Sequence, residues 1–131
     1  PPPPPQPKID DATYGLGTFI FERAKESVPA SADRTKVAQA FSDNFKNIAA
    51  QIGAGTLTDV VKILQQVTAK NDACLAAVTD AKNKELWESS AVALQQKLVS
   101  LNEQKKLVVA DDFRVAFLEL SSGFAALATL K

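Results

Sequence analysis

Residues 31–55, SADRTKVAQAFSDNFKNIAAQIGAG, decide the fold. Val37, Phe41, Phe45, Ile48 and Ile52 recur at spacings of four, four, three and four. That is the stripe of an amphipathic α-helix, with the apolar residues on one face and Asp43, Lys46 and Gln51 off it. Ser31 precedes the stripe as an N-cap, and Asp33 falls in the first turn, where a negative charge suits the helix dipole. Gly53 is placed to take the left-handed position that ends the helix, and Gly53-Ala54-Gly55 reads as a short turn.

The same period extends in both directions. Upstream, Leu16, Phe19, Ile20, Phe21 and Ala24 predict a helix that starts at Asp10 or Asp11 and runs to about Ser27. Gly15 and Gly17 weaken its first turns by up to about 1 kcal/mol each relative to Ala, so a late or irregular start is expected. Val28-Pro29-Ala30 breaks it, because the residue before a proline is driven out of the α region. Downstream, Thr56 or Thr58 is placed to cap a third helix carrying Leu57, Val60, Leu64, Val67, Cys74, Leu75 and Val78, with Asn71 on the stripe. Asp80 to Lys84 suits a tight reversal or a kink, and Leu86, Trp87, Ala91, Leu94, Leu98 and Leu101 form a fourth stripe. Lys105 and Lys106 follow it, where cations complement the negative end of a helix. A fifth helix, beginning at Asp111 or Asp112, carries Phe113, Phe117, Leu120, Phe124 and Leu127.

No stretch alternates apolar with polar between turn residues, and Leu107-Val108-Val109 is too short to make a strand. The expected fold is all-α: an up-and-down bundle of about five amphipathic helices over residues 9–131, the fifth covering the open side, behind a proline-rich extension at 1–8.

Composition narrows the function. The chain has 131 residues, 46% apolar and 23% charged, as in ordinary soluble domains. Fifteen basic residues balance fifteen acidic ones. Without a basic stripe, binding to nucleic acid is not expected, and neutrality favours self-association. No apolar run is long enough for a transmembrane segment. Methionine is absent, even at position 1, which points to a processed product or a domain of a longer chain.

Catalytic and metal sites are not expected either. The chain has no histidine, the commonest general base and metal ligand, and Cys74 is its only cysteine. Cys74 lies between Ala73 and Leu75 on an apolar face, which suits a buried, inert thiol better than a nucleophile. Gly53-Ala54-Gly55-Thr56 lacks the spacing and the lysine of a phosphate loop, and the helix stop explains it. Asp10-Asp11 and Asp111-Asp112 each precede a helix, and capping accounts for both pairs. Asn71 is a candidate register device, satisfied core amide or ligand contact. Trp87 is a candidate core anchor, and a pocket lining is its alternative. No cofactor is implied.

Residues 1–7, PPPPPQP, favour polyproline II and would span roughly 20 Å as a linker. The same tract could serve an adaptor as a ligand for an aromatic-lined groove. With this tract, Gln65-Gln66, Gln95-Gln96 and the Ser/Ala-rich run Ser121-Ser122-Gly123-Phe124-Ala125-Ala126, the chain resembles a helical repeat module of a spider silk protein, the pyriform or attachment type. The resemblance implies a non-enzymatic structural module of a larger secreted protein, associating with neighbouring copies of itself. A second expectation is a secreted carrier for an apolar ligand such as a fatty acid. Phe19, Ile20 and Phe21 motivate it, since three consecutive bulky side chains do not all face one core.

Overall fold

The computed structural model describes residues 9–130. It is an all-α bundle of five helices: α1 (Leu16–Ser27), α2 (Ala32–Gly53), α3 (Val60–Ala76), α4 (Ala81–Glu103) and α5 (Ala110–Thr129). The proline tract lies outside the described residues.

The centre of the bundle is the pair α2 and α5, whose interface is the most extensive, and α1 packs on α5 beside it. The fifth helix is therefore the middle of the molecule and not the cover over an open side. Its sequence explains why. Ser121 and Gly123 are small enough to let neighbouring backbones come close, while Phe117, Leu120, Phe124 and Leu127 fill the remaining space. Ser42 of α2 and Ser121 of α5 each donate a hydroxyl proton to the other's carbonyl oxygen, both at 2.9 Å. On α5's other flank, a Cβ on Gly123 would strike the Gly17 carbonyl oxygen and stand 2.7 Å from Gly17 Cα. The α1–α5 crossing thus exists only because both positions lack a side chain.

A run of ring contacts ties this centre to α4. Trp87 lies 5.6 Å from Phe41, Phe41 lies 5.0 Å from Phe124, and Phe124 lies 5.8 Å from Phe45. The run continues from Phe45 to Phe117 at 5.4 Å and from Phe117 to Phe113 at 5.9 Å. Each such pair adds about 0.5–1.5 kcal/mol beyond the area it buries. Trp87, 2% exposed, is the anchor its position on the α4 stripe implies.

Helix ends depart from expectation in instructive ways. α1 starts at Leu16 and not at Asp10 or Asp11, because Gly15 takes a left-handed conformation at φ 69°. Asp11 still caps the helix from seven residues away, its carboxylate accepting from Thr18 N at 3.0 and 3.1 Å. The other exposed amides turn to α5, where the buried Glu119 carboxylate accepts from Tyr14 N at 3.0 and 3.1 Å and from Leu16 N at 3.3 Å. No cation pairs with Glu119 among the described residues. Gly55, and not Gly53, is left-handed after α2, and Thr56 N reaches back to the Gln51 carbonyl. Asp59 caps α3, in place of Thr56 or Thr58. Asp80 caps α4, which makes α3 and α4 two separate helices. Asp112 does accept from the chain before α5, at Val108 N and Val109 N, although the helix already begins at Ala110. After α4 the left-handed position is filled by Lys105, at φ 60°.

Two stability measurements check this account. Gly123→Ala is expected to destabilise the domain by about 3 kcal/mol in urea unfolding, because backbone blocks the added methyl group. Lys105→Gly is expected to stabilise it by roughly 0.5–1 kcal/mol, by relieving the left-handed strain at an exposed site.

Candidate functional site

α3 and α4 follow one another in the chain but barely pack together. α3 is held on α2, whereas α4 is held by α1 and by the Trp87–Phe41 contact. Between them lies an open groove of about 590 Å³. Its floor and walls are mainly apolar, with Val67, Leu75, Leu94, Leu98 and Phe113 at the base and Leu64, Val92 and Val99 along the sides. These last three are 42%, 53% and 50% exposed and stand together at one groove, whereas Val61, Val108, Val109 and Leu118, similarly exposed, do not line it. The groove runs along α4 from Glu88 to Asn102, roughly 21 Å at the helical rise.

The α3 stripe read from the sequence is displaced by one residue at its start. Ile63 is fully buried, while Leu64 stands at the groove. α3 carries apolar side chains on two faces, one for the core through Ile63, Val67 and Leu75, and one for the groove through Leu64. On α4, Val92 and Val99 are seven residues apart and lie off the core stripe. That repeat is the signal in the sequence that points to the groove.

The excess apolar surface expected on α1 is not there. Ile20 and Phe21 are buried and Phe19 is half-buried, with the Lys97 ammonium 5.6 Å from its ring centre. α1 lies between α5 and α4, so two neighbours cover what one could not.

Asn71 lines the groove and also accepts from Asn44 Nδ2 of α2 at 2.8 Å. It is thus a paired amide that fixes α3 on α2. Asn44 Oδ1 is buried without a partner, as are Ser90 Oγ and Arg34 Nε. Asn44 belongs as well to a second, smaller groove of about 430 Å³ between α2 and α3, lined by Lys36, Lys70, Cys74 and Val78. Burial pushes the Cys74 thiol above its ordinary value, an effect that the nearby Lys70 ammonium opposes and the Asp43 carboxylate reinforces. A protonated, half-buried thiol is a poor nucleophile. Among the described residues no three His, Cys, Asp or Glu side chains gather to hold a metal, and no helix is long and apolar enough to cross a membrane.

No protein-family model matches the chain, and no curated protein or solved structure proves significantly similar to it.

The Cys74 environment sets a measurable rate. Alkylation by N-ethylmaleimide at neutral pH is expected to run at least about tenfold slower in the folded protein than in urea, and to accelerate as pH rises. Because the folded-state value is raised, the stability this thiol contributes is fully present below pH 9.0 and is lost as pH climbs through the raised value.

Proposed function

We propose that this domain is a non-catalytic carrier that holds an elongated apolar molecule in the groove between α3 and α4. The observation behind this reading is the pairing of a groove of about 590 Å³ with large apolar side chains left half in water along both sides. The volume falls within the range of small-molecule sites, roughly 300–1,000 Å³. Each methylene of a bound chain would contribute about 0.8 kcal/mol, so eight of them give about 6 kcal/mol before the costs of association. The polar groups at the groove, Thr68, Asn71, Gln95 and Asn102, would orient such a ligand without consuming it.

A second reading, the structural and assembly module implied by the sequence, rests on the same apolar side together with the balanced charge. In that reading a neighbouring copy covers Leu64, Val92 and Val99. Concentration-dependent dimerisation in sedimentation equilibrium, weakened by Val92→Lys with Val99→Lys, distinguishes it from a carrier that stays monomeric.

Trp87 lies on the core side of α4, 2% exposed against Phe41, so occupancy of the groove is read by calorimetry. Titration with a neutral long-chain alcohol is expected to give a saturable heat of binding. Ala91→Trp, which fills the groove from α4, is expected to weaken binding at least about tenfold while leaving the far-ultraviolet circular dichroism unchanged. Absence of saturable binding, or equal binding by the filled variant, would refute the carrier reading.

A further inference from the structure

The charges around the groove are not evenly distributed. Among the described residues its only ionisable side chains are Asp72 of α3 and Glu88 of α4, and neither a lysine nor an arginine lines it. The short Ala77–Asp80 connection joins the C-terminal end of α3 to the N-terminal end of α4. Asp72 is four residues before the end of α3, and Glu88 is seven residues after the start of α4. Both carboxylates therefore stand at the same end of the groove, with Phe113, Leu64, Val99 and Asn102 towards the other.

Neither acid forms an ion pair among the described residues. The single ion pair among the described residues is Arg114 with Asp111, far along the chain on α5. None of the lysines of α3 and α4, which are Lys62, Lys70, Lys82, Lys84 and Lys97, lines the groove. Lys70 lines the second groove, between α2 and α3, and Lys97 lies over the Phe19 ring on α1. Lys84, one turn before Glu88, forms no ion pair with it. The positive end of α4 is also closed to anions, because the Asp80 carboxylate already accepts from Lys82 N and Asn83 N at 2.9 and 3.2 Å. An anionic head group entering this groove finds two like charges and no partner. A cationic one finds two counter-charges beside an apolar trough.

We propose that the groove's ligand is a single-chain amphiphile with a protonated amine head, seated with the amine between Asp72 and Glu88 and the chain along Leu98 towards Phe113. This rests on the carrier reading and narrows it, and it reverses the expectation of a fatty acid, whose carboxylate would meet repulsion at the same place. Exposed charges at contact distance are each worth only a few-fold in affinity, so the selectivity is moderate and two carboxylates acting together supply roughly tenfold. It also weakens as salt screens the exposed pair.

Three probes of equal chain length test the inference on the intact domain: dodecylamine, dodecanol and dodecanoate, each titrated at neutral pH and low salt below its aggregation limit, with calorimetry as the readout. The amine is expected to bind roughly tenfold tighter than the carboxylate, with the alcohol between them. Asp72→Asn with Glu88→Gln is expected to remove most of the amine's advantage while leaving the alcohol's affinity unchanged. Both are surface substitutions, and an unshifted thermal midpoint verifies that the fold is intact. Dodecanoate binding as tightly as dodecylamine, or a double variant that lowers all three affinities together or none of them, would overturn the amine assignment and leave the carrier intact. Failure of all three probes to bind would remove the carrier reading itself.

Discussion

Everything else in the structure depends on how closely α5 approaches its two neighbours. Ser42 and Ser121 exchange hydrogen bonds across α2 and α5, and Gly17 and Gly123 meet across α1 and α5. A serine pair satisfied in both directions keeps two hydroxyls in the core at little cost, since each would otherwise forfeit about 1–3 kcal/mol as an orphaned buried group. A glycine pair lets two helices touch backbone to backbone. Once α5 is fixed by small residues on both flanks, its phenylalanines have one place to go, and the rings of Phe41, Phe45, Phe117 and Phe124 close the centre.

This arrangement explains why the bundle is unequal. Ten of the 22 residues of α2 and ten of the 20 of α5 are buried, against three of the 17 of α3. α1, α2 and α5 use up the core, and α3 and α4 are attached to different parts of it. α3 is held through Ile63, Val67 and the Asn44–Asn71 pair, and α4 through Trp87 and its packing on α1. Two helices anchored on separate supports need not close on each other, and the groove is what remains between them. Elements with few buried contacts belong to the low-stability end of a domain, where binding surfaces are also found.

How much of this was legible in the sequence depends on which interactions were local. The stripes of α2 and α5 were readable because each helix buries one continuous face, so Val37 to Ile52 and Phe113 to Leu127 report it without ambiguity. The start of α1 was not, because its amides are satisfied by Asp11, seven residues away from the donor, and by Glu119, more than a hundred residues on. No periodicity encodes a partner at that separation. The central place of α5 was also hidden, since amphipathic stripes give the face each helix buries and not the helix it buries it against. Ser121 and Gly123 were visible as a run of small residues, but smallness takes its meaning only from what lies opposite. The groove was half-visible. Val92 and Val99 broke the α4 pattern, whereas Leu64 was absorbed into a core stripe because α3 is apolar on two adjacent faces and a one-residue offset looks the same on either.

Asn71 joins the stable part of the molecule to the open part. Its carbonyl oxygen is held by Asn44 of α2, while its side chain also lines the groove beside Asp72. A hydrophobic residue there would widen the apolar wall but leave the buried Asn44 amide with no partner at either end, since Asn44 Oδ1 already has none. The polar pair therefore limits how far α3 can slide along α2, and with it the register at which Leu64, Asn71 and Leu75 face α4. The groove's shape is set from behind, by an amide pair on the core side of α3, so its walls can remain exposed without losing their alignment. That is the physical condition for an apolar site that stands open in water: the residues that would collapse it are held by contacts which its own surface does not supply.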